Sequence, residues 1–308
     1  MKMNKVILIF IVCMSNFAFA LTINNKGTPV KNYCGAYASV IKKDANKYEI
    51  FSNAIPNAKA VCPGAGCPGI VRYFGSMSSP SFYGIVANNS IIDDVYDADG
   101  TLAKNRMFSR PVVVKDGLGY AAVAMVMNGY PAVDGQGVPA FLTSTDGLSW
   151  MYHGKFGGEP FERSLFGSGM ALIVDPDASP RYRFYTDGYG VSMAGLTSDG
   201  NNEWTFIKNI HGNIAELKPP EWKGAIFHSM AELNGVFYMA ASDTWPVTAW
   251  QIAHSEDGVN WVNDLIEPVR EVQKNLSLYI DNNTLMALAT TSLAGSNCYR
   301  KTAIEINP

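Results

Sequence analysis

One short pattern recurs three times in this chain. It reads Ser144-Thr145-Asp146-Gly147 followed by Trp150, Thr197-Ser198-Asp199-Gly200 followed by Trp204, and Ser255-Glu256-Asp257-Gly258 followed by Trp261. Asp199 lies 53 residues after Asp146, and Asp257 lies 58 after Asp199. A period of this size, with one supersecondary unit per period, is the mark of a repeat fold. Asp-Gly between apolar runs predicts a hairpin, because the turn needs a positive φ that glycine adopts at little cost. The Asp carboxylate and the Ser or Thr hydroxyl can take the free N–H groups of the turn. The Trp then falls on the returning strand, where its ring can fill the gap between neighbouring sheets. Alternating runs before the turns, such as Ala140-Phe141-Leu142-Thr143-Ser144, read as strands. A degenerate copy is Asp97-Ala98-Asp99-Gly100, with Ala103 where a Trp would stand.

The repeats resemble the Asp-box, or bacterial neuraminidase repeat, of sialidases and other β-propeller proteins. The usual pattern separates Asp from Gly by one residue, whereas here Gly follows Asp directly. In that family the box is a structural hairpin on the outer part of a blade, away from the active site. The resemblance therefore implies a structural role for Asp146, Trp150, Asp199, Trp204, Asp257 and Trp261. It implies an all-β fold, a single propeller of five blades with six as the alternative. The blades fall at residues 33–104, 105–158, 159–219, 220–271 and 272–308. The last is one strand short, and residues 21–30 could supply it and so close the ring by pairing the two termini.

Residues 1–20 have a basic start at Lys2 and Lys5, an apolar run from Val6 to Met14, and Ala18-Phe19-Ala20 as a small-x-small cleavage site. This is the pattern of a secretory signal peptide, with an apolar core too short for a permanent span. The expected mature chain is one domain over 21–308, secreted or periplasmic. Four cysteines remain in it: Cys34, Cys62, Cys67 and Cys298. An even count in an exported chain argues for disulfides. The favoured pairing is Cys34–Cys298 with Cys62–Cys67, since a link between the ends suits a closed ring; the alternative is Cys34–Cys62 with Cys67–Cys298. The long loop would restrict the unfolded chain by roughly 4–5 kcal/mol in the chain-entropy model.

Charged residues make up only 17% of the chain, and removal of the leader leaves 22 basic against 27 acidic residues. That balance provides no basic field for nucleic acid or an anionic membrane. A later run of about eighteen apolar residues, which stable membrane insertion would need, is also missing. The four histidines lack HExxH spacing, no Gly-x-Ser-x-Gly elbow occurs, and no cofactor or catalytic metal is expected. Asp175-Pro176-Asp177 and Asp93-Asp94 could form a structural calcium loop, although such clusters are usually plain turns. Asn88, Asn275 and Asn282 stand in glycosylation sequons.

Chemistry in a propeller is expected where the innermost strands begin around the central channel. That rule selects Arg72, Arg110, Arg163 and His228 as ligand-binding candidates, with Glu162, Asp281 and Tyr279 as catalytic ones. Arginine binds a carboxylate in bidentate fashion, and paired carboxylates hydrolyse glycosides. True sialidases carry an Arg triad introduced by Arg-Ile-Pro, which Ile70-Val71-Arg72 and Ser109-Arg110-Pro111 do not match. Five-bladed furanosidases use three inner-strand carboxylates, a scheme to which Asp94, Asp175 and Glu162 or Glu232 could be fitted. Two functions follow: an exported glycosidase acting on extracellular glycans, or a non-catalytic propeller that binds a glycan or a protein.

Overall fold

The computed structural model describes residues 22–30, 35–54, 69–128, 137–156, 166–188, 191–200, 203–207, 226–243, 247–291 and 300–307. Its strands form five antiparallel blades of a β-propeller. Blade 1 is β2 (Gly35–Asp44), β3 (Lys47–Ala54), β4 (Ile70–Ser76) and β5 (Ser79–Ala87). Blade 2 is β6 (Arg106–Asp116), β7 (Gly119–Asn128), β8 (Val138–Ser144) and β9 (Met151–Lys155). Blade 3 is β10 (Phe166–Val174), β11 (Tyr182–Gly188), β12 (Val191–Ser198) and the short β13 (Thr205–Phe206). Blades 4 and 5 share one sheet built from β14 (Ile226–Leu233), β15 (Val236–Ser242), β16 (Val247–Ser255), β17 (Val262–Asp281), β18 (Thr284–Thr291), β19 (Arg300–Asn307) and β1 (Thr22–Val30).

The join between blades 4 and 5 is β17 itself. Its first half pairs with β16 as an outer strand, and its second half pairs with β18 as an inner strand. The N-terminal β1 completes blade 5 by pairing with β19, from Thr22 opposite Asn307 to Val30 opposite Lys301. The ring is therefore closed by strands from both ends of the chain. Among the described residues no helix is long and apolar enough to cross a membrane.

Alternate residues of each inner strand face the two neighbouring blades, so the core divides into five clusters, one per seam. Val113 of β6 joins Ile41 and Phe51 between blades 1 and 2, whereas Val112 and Val114 turn to Leu172 and Phe184 between blades 2 and 3. Ile173 and Met230 meet between blades 3 and 4, and Ala231 and Leu278 between blades 4 and 5. Tyr48, Tyr73, Tyr279 and Leu288 close the ring between blades 5 and 1. This two-sided burial is why the middles of some inner strands are short apolar runs, such as Pro111–Val114 and Met170–Val174. At the seam between blades 3 and 4 the backbones nearly touch, and a Cβ on Gly169 would collide with the Phe227 carbonyl.

The repeated motif forms the turn after the third strand of blades 2, 3 and 4. In blade 2 the Ser144 hydroxyl accepts from Gly147 N at 2.8 Å, and Asp146 Oδ1 accepts from Leu148 and Ser149 N at 2.7 and 2.8 Å. Blade 4 repeats this with Ser255, Asp257, Gly258, Val259 and Asn260. Gly147 and Gly258 have φ of 72° and 73°, the region that the turn requires. Asp199 accepts from Arg181 N at 3.3 Å in the adjoining hairpin. Each Trp fills the seam toward the preceding blade: Trp150 lies 6.0 Å from Phe51 and Trp204 5.7 Å from Phe141, and Trp261 joins the cluster around Tyr185. Asp97–Gly100 is not a further copy. It makes a small turn in the crossover from blade 1 to blade 2, with Ala103 packed in the seam below.

Candidate functional site at the channel mouth

The five inner strands surround a cavity of about 350 Å³, lined by residues of β2, β6, β10, β14 and the second half of β17. Its entrance is built from irregularities. Near its start each inner strand shifts register against its neighbour: at Ala36/Ser39, Ser109/Val112, Phe166/Met170, Phe227/Ser229 and Gln273/Asn275. A bulge turns a side chain out of the regular alternation, which is how a strand can aim a residue along a channel. The bulges of β2 and β6 coincide residue for residue, with Tyr37 in one and Arg110 in the other. Both have a left-handed backbone, φ 53° and φ 50°. That conformation costs a bulky residue about 1–3 kcal/mol and persists only where its surroundings enforce it. The Arg110 guanidinium lies 5.0 Å from the centre of the Tyr37 ring.

Serine hydroxyls hold two of these strand starts together. Ser39 Oγ accepts from Val113 N at 2.9 Å and donates to Pro111 O at 3.3 Å, tying β2 to β6. Ser229 Oγ accepts from Leu278 N and donates to Leu276 O, both at 2.8 Å, tying β14 to β17. His228 occupies the β14 bulge and shares a 2.7 Å hydrogen bond between Nε2 and Ser242 Oγ. Burial pushes its proton affinity down to about 4, so the ring is neutral at pH 7. It shapes the mouth by hydrogen bonding and supplies no charge.

Two candidates, Arg110 and His228, thus stand where inner strands begin, and Tyr37 joins them. Tyr37 heads an ordinary strand run, and Tyr37-Ala38-Ser39 shares no residue type with Arg110-Pro111-Val112, so the matching bulges leave no signal in the sequence. Arg72 requires correction: it lies on β4, the third strand of blade 1, where it pairs with the buried Glu49. Asp281 also requires correction. It ends β17 rather than beginning an inner strand, pairs with Lys42, and accepts from the Tyr48 hydroxyl at 2.5 Å. Tyr279 contributes to the channel wall, but its ring packs edge-on to Tyr48 with centroids 6.5 Å apart. Burial raises its hydroxyl well above the ordinary phenol range, and Tyr48 and Asp281 add to this, which disfavours the phenolate a nucleophile would need. Asp281 and Tyr279 therefore fasten blade 5 to blade 1. Glu162 and Arg163 lie outside the described residues, as do residues 1–20 and the four cysteines of both expected disulfides.

Among the described residues, the furanosidase-type carboxylates Asp94, Asp175 and Glu232 do not converge. Asp94 accepts from the Tyr152 hydroxyl at 2.6 Å and Lys155 N at 2.9 Å, beside the outermost strand of blade 2. Asp175 braces the β10–β11 turn through Asp177 N at 3.1 Å, and Glu232 accepts from Gly235 N at 3.2 Å at the next hairpin. Among the described residues Glu232 is the one carboxylate on the channel wall. None of the described residues form a group of three or more His, Cys, Asp or Glu able to hold a metal.

No protein-family model matches the chain, and no curated protein matches it. Solved structures do resemble it. A thermostable family-43 glycoside hydrolase superposes with a TM-score of 0.63 at 14% identity, covering 91% of this chain and 92% of that one. A xylan β-1,4-xylosidase from Bacillus halodurans C-125 gives 0.61 at 15%, covering 93% of this chain but 55% of its own length. An exo-β-1,3-galactanase from Clostridium thermocellum gives 0.61 at 11%, covering 92% and 61%. At such identities the likeness is one of fold, a five-bladed propeller. The neighbours belong to a different group of propellers from the sialidases that the Asp-Gly…Trp motif resembles, so the sialidase-like assignment is not supported by them.

Proposed function

We propose that the protein is an exported propeller that binds a carbohydrate at the mouth of its channel, and that the carbohydrate carries an acidic group. The observation behind this reading is the pair Tyr37 and Arg110, each in a strained left-handed conformation at the same bulge of adjacent inner strands. A tyrosine face suits the C–H surface of a sugar ring, and a guanidinium suits its carboxylate. Fold neighbours named as xylosidase and galactanase support a glycan as the ligand class. The leader-like residues 1–20 support an extracellular or periplasmic place of action.

Hydrolysis is the second reading, favoured by the enzymatic nature of those neighbours. Glycosidases need two carboxyl groups on either side of the scissile bond, roughly 5–10 Å apart. Glu232 is engaged with a hairpin, so the pair would have to draw on Glu162, in the segment that leads into β10. Mature protein should be titrated with uronic-acid-containing and neutral oligosaccharides, and incubated with fluorogenic arabinosides, xylosides, fructosides and sialosides. Binding of acidic sugars that weakens about tenfold or more in Arg110→Ala, without turnover, is the expected result. Turnover abolished by Glu162→Gln would replace binding with hydrolysis. Folded protein that ignores every sugar would overturn both.

A further inference from the structure

Among the described residues, the opposite end of the channel sets three cations against one carboxylate. Lys43 and Lys115 stand near the ends of β2 and β6, six residues beyond Tyr37 and five beyond Arg110, roughly 15–20 Å away along the strands. Both flank Tyr120: Lys43 Nζ donates to its hydroxyl at 3.0 Å, and Lys115 Nζ lies 3.8 Å from its ring centre. Behind them is one carboxylate, Glu49, which is fully buried. Its oxygens are already claimed. Oε1 pairs with Arg72 and lies 3.6 Å from Lys43, and Oε2 accepts from the Tyr120 hydroxyl at 2.7 Å. One negative charge thus faces three cations. Arg72 is itself more than nine-tenths buried, and its Nε has no hydrogen-bond partner.

The acids next in sequence give no relief. Asp44 pairs with Lys47 at 3.5 Å, and Asp116 is held by Arg181 and the Tyr182 hydroxyl of blade 3. Lys115 is in none of the ion pairs among the described residues.

We propose that Lys43 and Lys115, backed by Tyr120 and Arg72, form a second site that takes an oxyanion, a sulfate, phosphate or carboxylate group, at the seam of blades 1 and 2. Two ammonium groups held beside one another with a saturated carboxylate behind them repel, and a bridging oxyanion would accept from both at once. Lys115 has its proton affinity lowered by burial and then by Lys43, whereas that of Lys43 is raised, chiefly by its hydrogen bond to Tyr120, so Lys115 is the less satisfied of the two. The inference is independent of the carbohydrate reading of the mouth, since no residue is shared.

The test follows amine acetylation of each lysine by mass spectrometry. Inorganic sulfate or glucose 6-sulfate is added at constant ionic strength made up with chloride, and Lys47, 57% exposed in its side chain, serves as the internal control. Saturable protection of Lys43 and Lys115 of about threefold or more, with none at Lys47, is expected, and Lys115→Gln should abolish the protection at Lys43. Protection by both compounds would identify a free-ion site; protection by the sugar sulfate at much lower concentration would identify a glycan substituent. Equal effects at all three lysines, or protection that does not saturate, would overturn the proposal. The wild-type labelling decides this even if the variant fails to fold.

Discussion

Acidification tests the reading of His228 most directly. The ring is buried, hydrogen-bonded to Ser242, and holds its proton only below about pH 4. In the unfolded chain it should titrate near the ordinary value of about 6.5. Between these values the unfolded state binds more protons than the native state, so stability falls as pH falls. The contribution is fully present above about pH 6.5 and is lost progressively down to about pH 4. Its full size is about 3 kcal/mol, of which about 2 kcal/mol should disappear between pH 7 and pH 5. Urea titrations at pH 7, 6 and 5 on wild type and His228→Gln would measure it. Glutamine can keep a hydrogen bond to Ser242 but cannot titrate. His153, which burial also shifts downward, contributes equally to both proteins and cancels in the difference. The pH-dependent loss should therefore be about 2 kcal/mol smaller in the variant. Equal losses in the two proteins would mean that His228 is solvated or paired with an acid, and the neutral description of the channel mouth would be wrong.

Other perturbations probe the seams and the closure. Gly169→Ala would press a methyl group into the Phe227 backbone, and about 1–3 kcal/mol of destabilisation is expected in urea unfolding. Trp204→Ala removes a ring stacked on Phe156 at 4.3 Å and edge-on to Phe141, for an expected loss of about 3–5 kcal/mol by the same assay. The Cys34–Cys298 and Cys62–Cys67 disulfides expected from the sequence should appear in a non-reducing peptide map. Reduction of Cys34–Cys298 should cost roughly 4–5 kcal/mol, while a map showing Cys34–Cys62 would refute the pairing.

The blades were readable because their turns are chemically explicit. A Ser hydroxyl, an Asp carboxylate and a glycine at φ near 72° leave a signature that survives without any knowledge of packing. The segment 21–30 was readable as the missing strand because the last blade lacked one. The site was far less visible. Arg72 belongs to the third strand of its blade, and its sequence neighbourhood Ile70-Val71-Arg72-Tyr73 does not distinguish a third strand from an innermost one. Asp281 was misplaced because β17 spans 20 residues and passes from blade 4 to blade 5 without a turn. The next turn signal, Asn282-Asn283 with φ of 48° and 64°, marks the end of the inner strand. Bulges leave still weaker traces. They depend on the count of residues in the partner strand, and a single sequence does not say which residues face one another.

The misplacement of Asp281 has a physical cause that also orders the molecule along its channel. The charged residues that ended up structural lie at the finishing ends of inner strands or in the hairpins there: Asp281 with Lys42 and Tyr48, Asp116 with Arg181 and Tyr182, Glu232 with its own turn. There neighbouring blades approach through tyrosines, and a carboxylate on one blade finds a hydroxyl or cation on the next. The burial of Tyr182 and its bond to Asp116 push that hydroxyl up to about 12, as expected for a permanent donor. At the starting ends regular pairing gives way to bulges, two of them with strained backbone, and serine clamps at Ser39 and Ser229 link neighbouring blades. Strain kept at one end requires a rigid frame at the other. If so, weakening the finishing end should loosen the mouth: Asp281→Asn, which touches no mouth residue, should lower sugar affinity as well as stability, whereas affinity unchanged in a destabilised variant would show that the two ends are mechanically independent.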